Sequence, residues 1–315
     1  MAGVDYPGTY QELLSWFPDN QACIDYLASL RWPQGFSCPA CGGSECWRTR
    51  AGLWMCRSCN RKTSVTAGTI FDRTRTPLST WFAAIWFVTT QRNGVSARNL
   101  QQILGFASYE TAWAWLHKIR RAMVRPDRDR LSGIVEVDEA FLGGVNHDVF
   151  GGYGDKVPVS IAVERLSGNT LGRIRLQMLE RAGYNDIVEF VERCVEPGSL
   201  LRTDGHGAYL RLPALGYDHR IVALTGRNPA SAATELPGVH RIASLLKRWL
   251  LGTYHLGYSP AHLPYYLDEF TFRFNRRKSR RPGMLFYRLL QQAIATDPHP
   301  LHELTTHEPD KTDFT

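Results

Sequence analysis

The sequence lacks the two features that would direct a protein into or across a membrane. Its 315 residues contain no run of 18 or more apolar residues, so we expect no membrane-spanning helix. The N-terminal stretch MAGVDYPGTY lacks the basic and apolar parts of a secretory signal peptide. We therefore expect a cytoplasmic protein.

Acidic residues are fewer than basic ones. The chain has 30 Asp and Glu against 37 Lys and Arg, a formal net charge of +7 and a pI of about 9.1. A basic protein suits an anionic partner, and nucleic acid is the leading candidate. A basic surface without a specific role is the alternative that charge alone leaves open.

Four of the seven cysteines form two closely spaced pairs, CPAC and CRSC, separated by fourteen residues. The paired residues are Cys38, Cys41, Cys56 and Cys59. Two such pairs complete a tetrahedral zinc site, and residues 36 to 66 have too little apolar periodicity to form a core without metal. Because sulfur fills all four positions, we expect a structural zinc ribbon. Cys46 fits neither pair and is predicted to be a free thiol, whereas Cys23 and Cys194 fit apolar helix faces.

Residues 78 to 123 show helical periodicity interrupted by a short turn. Ser96 and Ser108 are suitable N-caps, and Gly105 can end the helix between them. Two helices joined in this way are typical of a helix-turn-helix, although a plain helical hairpin has the same pattern. The zinc module before it and the basic segment HKIRRAMVRPDRDR after it favour DNA contact.

After residue 131 the pattern changes to strands and helices of an α/β domain with a partly antiparallel sheet. The predicted strands are Ile134–Val137, Val157–Val163, Gly172–Leu179, Leu200–Thr203 and Arg220–Leu224. The predicted helices are Tyr184–Cys194, Val239–Leu251, Pro260–Asn275 and Pro282–Ala293.

Two of these strands deliver a carboxylate. Asp138 follows Ile134–Val137 in GIVEVDEAFLGG, and Asp204 follows Leu200–Thr203 in LRTDGHGAYL, where Gly205 and Gly207 also permit an ordinary turn. If the two strands are neighbours, both carboxylates meet at one edge of the sheet. Two aspartates so placed can hold a pair of Mg²⁺ or Mn²⁺ ions for in-line attack on phosphodiesters.

Clustered cations are candidates for contacts with nucleic acid, with a solvated basic face as the alternative. In the zinc module and the second helix of the helix-turn-helix, the candidates are Arg48, Arg50, Arg57, Lys118 and Arg121. In the run TFRFNRRKSRR, they are Arg273, Arg276, Arg277 and Lys278.

Three segments resemble the transposases of bacterial insertion sequences in the ISXO-like group. They are VEVDEAFLGG, RTDGHGAY and VHRIASLLKRWLLGTYHLGYSPAHLPYYLDEFTFRFNRRKS, and the resemblance extends over roughly residues 15 to 290. It implies a zinc ribbon, a helix-turn-helix and a ribonuclease-H-like domain of the DDE type. It further implies a nucleoid-associated bacterial protein that binds double-stranded DNA at terminal inverted repeats, acts as a dimer or larger assembly, and performs metal-dependent cleavage and strand transfer.

Carried over by position, Asp138 matches the family's first acidic residue and Asp204 the second. The third position, where many relatives carry Glu, is His240 here, with thirty-five residues between it and Asp204. His240, Ser244 and Lys247 share one helix face, which suits Lys247 for contact with the scissile phosphate. Glu235 is the rival third acid.

Glu136 and Glu139 flank Asp138, and Glu136 has the strand parity of Asp138 and could assist it. The third ligand therefore stays open at this point, and so does the role of its neighbours.

These patterns divide the chain into four parts. We expect N-terminal helices with the zinc ribbon at 1–70, the helix-turn-helix region at 77–125, the catalytic domain at 131–292 and a disordered tail at 293–315. Two other functions remain possible: a zinc-ribbon DNA-binding regulator with a degenerate, inactive nuclease fold, and a nuclease without joining activity.

Overall fold

The computed structural model describes residues 3–125, 128–143, 156–180, 183–222, 235–254 and 259–305. The chain divides into two compact units. The first comprises Met1–Arg125 and Ser279–Thr315, and the second comprises Pro126–Lys278. In the part of the chain that the structure describes, no helix has the length and apolarity needed to span a bilayer.

The first unit begins with two capped helices and a small sheet. Helix α1 is Tyr10–Trp16 and helix α2 is Asn20–Arg31, and the side chain of Asp19 accepts a hydrogen bond from the backbone of Ala22 at the start of α2. An antiparallel sheet follows, with strands β1 (Cys46–Arg48), β2 (Trp54–Cys56) and β3 (Lys62–Thr63) in that order. This hairpin and its third strand form the zinc-ribbon scaffold that the cysteine spacing predicts.

Three further helices carry the predicted turn. They are α3 (Leu78–Thr90), α4 (Ala97–Leu104) and α5 (Tyr109–Arg121). The hydroxyl groups of Ser96 and Ser108 accept from the backbone amides of Asn99 and Glu110, and Gly105 ends α4 with φ of 67°. The two helices and their caps are confirmed, while their use as a DNA-binding helix-turn-helix stays a prediction.

The helix Pro282–Ala295, α9 in chain order, belongs to the first unit. The predicted catalytic domain extends to residue 292 and therefore includes most of this helix. Its fully buried Phe286 lies against the rings of Phe17, Phe82 and Trp86. The reason is that its apolar face packs against α2 and α3.

The predicted disordered tail is also wrong for its first part. Residues 301 to 305 form a short helix, α10 (Leu301–Thr305), whose Leu304 is buried. His299, just before it, lies within 3.0 Å of the Arg121 guanidinium. The last ten residues of the predicted tail lie outside the described residues.

The second unit is built on a five-stranded mixed sheet in the order β6-β5-β4-β7-β8. Its strands are β4 (Ile134–Leu142), β5 (Val157–Arg165), β6 (Leu171–Met178), β7 (Leu200–Thr203) and β8 (Asp218–Ile221). β4, β5 and β6 pair antiparallel, and β4, β7 and β8 pair parallel. This arrangement confirms the partly antiparallel sheet and is consistent with a ribonuclease-H-like fold.

Helices cover both faces of this sheet. Helix α6 (Tyr184–Cys194) and a 3₁₀ helix, Gly207–Leu215, pack on the face that presents Val135 and Val137. Helices α7 (Pro237–Tyr254) and α8 (Leu263–Asn275) pack on the other face, against Ala140 and Leu142. Alternation along β4 therefore sends odd-numbered side chains toward α6 and even-numbered ones, including Asp138, toward α7.

β4 is longer than predicted. It continues from Val137 to Leu142 because it pairs with β5 along its whole length, from Ile134 opposite Arg165 to Leu142 opposite Val157. Asp138 consequently lies in the middle of a strand and not near its end. Asp204 does follow the last residue of β7, as predicted.

Two leucines of α7 test the assignment of its buried face. Leu246 is fully buried in the core between α7 and the sheet, whereas Leu251 is 55% exposed. We expect Leu246→Ala to lower the free energy of unfolding by about 2–5 kcal/mol, because it removes a packed side chain and leaves a cavity. Leu251→Ala should change it by less than about 0.5 kcal/mol. Urea denaturation of both variants measures this, and equal losses would contradict the assigned face.

Candidate zinc centre and active site

The four paired cysteines converge in the first unit. Their sulfur atoms all lie within 4.8 Å of one another, and among the described residues they are the only such group of three or more metal-ligating side chains. The Sγ atoms of Cys38 and Cys59 are 3.6 Å apart, as are those of Cys41 and Cys56. This is the size of a tetrahedral thiolate site for zinc.

Backbone hydrogen bonding favours the thiolate at Cys38 and Cys56, whereas at Cys41 hydrogen bonding with the backbone at Gly43 is outweighed by that with the side chains of Cys59, Cys56 and Cys38, which raises the pKa to about 12. Hydrogen bonding from the backbone at Ala40 and Cys41 lowers the pKa of Cys38, and hydrogen bonding from the backbone at Cys59 lowers the pKa of Cys56 to about 6. A Cβ at position 43 would lie 3.3 Å from the Cys56 sulfur, so glycine there leaves the cluster its space. The residues present therefore fit a structural zinc ion.

The remaining cysteines lie elsewhere, as predicted. Cys23 and Cys194 are buried in helices, and Cys46 is a free thiol in β1, paired across the ladder with Cys56.

The register between β4 and β7 brings the two predicted aspartates to one place. The strands run parallel, with Glu136 opposite Arg202, so continuing the same register sets Asp138 beside Asp204. The pKa of Asp138 is raised to about 6, mainly by burial and in part by the negative charge of the neighbouring Asp204. The Asp138 side chain is only 17% exposed, so its charge is largely desolvated.

His240 lies in the first turns of α7 and faces Asp138. Its Nε2 atom is 3.9 Å from the Asp138 carboxylate, is buried, and has no hydrogen-bond partner among the described residues. Burial lowers the pKa of His240, which keeps the imidazole in the neutral form that ligates metal. A buried, unpartnered nitrogen next to a desolvated carboxylate fits a divalent cation held between them.

The other residues predicted around His240 take different positions. The Ser244 hydroxyl donates to the backbone carbonyl of His240, and Lys247 is exposed one further turn along the helix. Glu235, the rival acid, precedes α7, and its carbonyl oxygen accepts from the Arg202 guanidinium. The structure places the His240 imidazole 3.9 Å from the Asp138 carboxylate, and the choice between His240 and Glu235 as the third ligand stays a prediction.

Sequence reasoning missed Tyr209. This residue of the 3₁₀ helix after Asp204 is fully buried, and its hydroxyl donates a hydrogen bond to the carboxylate of Glu139. Burial raises the pKa of Glu139 to about 7. The pair ties the segment carrying Asp204 to β4, and the aromatic residue in GHGAYL was the signal that could have pointed to it.

Several of the predicted DNA contacts in the first unit are engaged within the protein. Arg48 pairs with Asp25 at 2.8 Å and lies over the ring of Trp54, while Arg50 and Arg57 are exposed. Of the two predicted DNA contacts in α5, Lys118 is half-buried, and Arg121 contacts His299. Most of α5 is buried because its apolar residues point in several directions.

The run TFRFNRRKSRR is likewise partly structural. Arg273 forms a 2.6 Å ion pair with the buried Glu269, and Arg276 lies over the ring of Phe272. Arg277 donates to the carbonyl oxygens of Leu171 and Gly172 and so binds the end of α8 to β6. Lys278 is exposed.

Two protein families match this chain. Residues 130–275 match the ISXO2-like transposase domain, and residues 18–62 match the transposase zinc-ribbon domain. The chain is also similar to an uncharacterized protein in transposable element ISH50 of Halobacterium salinarum, with 27% identity over 297 residues. That alignment covers 85% of this chain and 94% of the relative.

The cysteine cluster makes a direct prediction about metal content. The purified chain should contain about one zinc ion, and Cys56→Ser should lose it, because three sulfurs bind zinc much more weakly than four. Cys46→Ser, in the neighbouring strand, should keep it. Elemental analysis by mass spectrometry measures both; zinc retained in the Cys56 variant, or lost equally in the Cys46 variant, would contradict the assigned ligands.

Proposed function

Since the chain belongs to the ISXO2-like transposases with an N-terminal zinc ribbon, we propose that it binds the terminal inverted repeats of an insertion sequence and catalyses metal-dependent DNA cleavage and strand transfer. One observation supports the catalytic part above the others: the unpartnered Nε2 of His240 stands 3.9 Å from the desolvated Asp138 carboxylate. Asp204 lies at the end of the adjacent parallel strand.

In this proposal Asp138, Asp204 and His240 hold divalent metal, either Mg²⁺ or Mn²⁺. Bound there, the metal supplies charge stabilisation at the phosphate and activation of the attacking oxygen. The protein's contribution is to hold three ligands from three elements, β4, β7 and α7, in one desolvated place. The neutral imidazole is a softer ligand than a carboxylate. The three ligands together therefore carry one negative charge fewer than three acidic residues would carry.

The exposed face of α7 suits DNA that reaches these ligands. Arg241, Lys247 and Arg248 are all exposed on this helix, which begins at the proposed active site. Lys247 then contacts the scissile phosphate as a point charge. Hydrolysis frees a 3′-hydroxyl on the transposon end, and that hydroxyl displaces a 3′-oxygen at a target phosphodiester, so one P–O bond replaces another.

The first unit is proposed to recognise the transposon ends. Its zinc ribbon presents the exposed Arg50 and Arg57, and Tyr109, the first residue of α5, is also exposed. Joining two ends to one target requires at least two active sites, so we propose a dimer or larger assembly on double-stranded DNA.

Removing either carboxylate tests the catalytic proposal. We expect Asp138→Asn and Asp204→Asn each to reduce cleavage of a labelled transposon end by about a thousandfold or more, because several kcal/mol of charge stabilisation is lost. End binding, measured by gel shift, should persist. Asp218→Asn, an exposed aspartate of β8, is the matched control and should cut normally. Unchanged transposition in both active-site variants would indicate a DNA-binding regulator instead.

His240 is tested separately. We expect His240→Ala to lower cleavage by about a hundredfold or more with end binding intact, since one metal ligand is lost. His302→Ala, which alters an exposed histidine of the first unit, is the control. Normal cleavage by the His240 variant, together with loss in Glu235→Ala, would transfer the role to Glu235. Products joined through the labelled 3′-hydroxyl separate a transposase from a nuclease.

A further inference from the structure

Two residues before Asp138, on the same face of β4, lies a carboxylate that the proposed reaction does not use. Glu136 is fully buried. Its Oε2 atom accepts hydrogen bonds from the backbone amides of Gly238 at 2.7 Å and Val239 at 3.2 Å. These amides belong to the first turn of α7, which begins at Pro237. A strand residue therefore caps the helix that carries His240.

The Glu136 carboxylate supplies hydrogen-bond acceptors for amides at the start of α7 that have no acceptor within the helix. The first four amides of a helix have no intrahelical acceptor, and the amino-terminal end carries partial positive charge. The His240 amide already bonds to the Leu236 carbonyl, so Gly238 and Val239 are the amides that depend on Glu136. A buried carboxylate at this end satisfies both donors and is itself stabilised by the helix dipole.

Two arginines hold the carboxylate in place. The Oε1 atom of Glu136 is 3.3 Å from Arg165 Nε and 3.5 Å from Arg202 Nη1. Arg202 also donates to the carbonyl of Glu235, just before the helix. The start of α7 is thus bound to β4 through Glu136 and to β7 through Arg202.

Glycine at position 238 is required by this close approach. A Cβ there would lie 2.6 Å from Glu136 Oε2 and 3.1 Å from both Arg165 Nη1 and Val163 Cγ1. Any other residue would push the start of the helix away from the sheet. Gly252, in the same helix, has no atom within 4 Å of the corresponding position.

We propose that Glu136 is a positioning residue that acts through α7: by binding Gly238 and Val239, it sets His240 opposite Asp138. The inference rests on the proposed function only for its effect on catalysis. The contact between Glu136 and the start of α7 is a property of the chain without Mg²⁺ or DNA. Glu136 touches neither DNA nor metal in this scheme.

Glu164 provides a matched control. It is also a buried strand carboxylate that accepts two backbone hydrogen bonds, from Ser132 at 3.2 Å and Arg173 at 2.9 Å, and pairs with the Arg173 guanidinium at 2.6 Å. None of its partners lies in α7. A general effect of removing a buried charge should therefore be the same in both variants, and an effect on His240 should be confined to Glu136.

The first measurement is amide hydrogen exchange on the zinc-loaded full chain, without added Mg²⁺ or DNA. We expect Glu136→Gln and Gly238→Ala to speed exchange at residues 238 and 239 by about tenfold, since the carboxylate acceptor is lost or displaced. Glu164→Gln and Gly252→Ala should leave these amides as in the unaltered protein. Unchanged exchange in both test variants overturns the proposal whether or not the chain cuts DNA.

The second measurement is cleavage of a transposon end at saturating DNA. We expect Glu136→Gln and Gly238→Ala to cut about 10- to 100-fold more slowly with end binding retained, because the ligand geometry is displaced. Glu164→Gln and Gly252→Ala should cut at the normal rate. Faster amide exchange at residues 238 and 239 in the Glu136 and Gly238 variants, combined with a normal cleavage rate, would overturn the positioning role. A lack of cleavage by the unaltered protein counts against the proposed function alone, and the exchange result then decides the positioning.

Discussion

The second unit depends on burying negative charge in the middle of its sheet. β4 is the central strand, and within four residues it carries three carboxylates removed from most of their water, on Glu136, Asp138 and Glu139. Desolvation of one ionised carboxylate costs several kcal/mol unless partners offset it. The partners that each carboxylate finds determine what it can do.

The three carboxylates are compensated unequally. Glu136 has two arginines and two helix amides, and Glu139 has the Tyr209 hydroxyl. Asp138 accepts from the backbone amide of Glu139 and otherwise faces the Asp204 charge and a neutral imidazole. Burial raises the pKa of both Asp138 and Glu139, and under the proposed function a divalent cation would offset the charge of Asp138. Glu136, with its two helix amides, and Glu139, with Tyr209, link neighbouring elements to β4, and Asp138 is the acid proposed for chemistry.

Much of this could be predicted from the sequence where the signal is local. The CxxC spacing predicts the cysteine cluster, serine and glycine punctuation predicts α4 and α5, and Leu200–Thr203 and Tyr184–Cys194 have the predicted bounds. The mixed sheet follows from the order of strands and helices. The roles of Asp138, Asp204 and His240 as metal ligands stay predictions.

The features that could not be predicted depend on partners distant in sequence. β4 extends beyond Val137 because β5 pairs with it, and α9 joins the first unit because Phe286 meets an aromatic cluster from α3 and the segment after α1. The linkage from Glu136 to Gly238 spans 102 residues, so strand parity indicates only that Glu136 shares a face with Asp138. It cannot show which helix end arrives there.

The basic composition likewise indicates the kind of partner but not the surface that contacts it. The net charge of +7 indicates an anionic partner, yet it does not say which cations remain available to it. In the C-terminal run, Arg273, Arg276 and Arg277 bind a carboxylate, a ring or backbone carbonyls of their own unit. Three further cations of that run are exposed: Lys278, Arg280 and Arg281. On α7, the exposed Arg241 lies about two turns before the exposed pair Lys247 and Arg248, so these cations do not form a run in the sequence. Phosphate binding depends on charge that is accessible, so the helix that carries His240 and the exposed end of the C-terminal run are both candidates for contact with DNA.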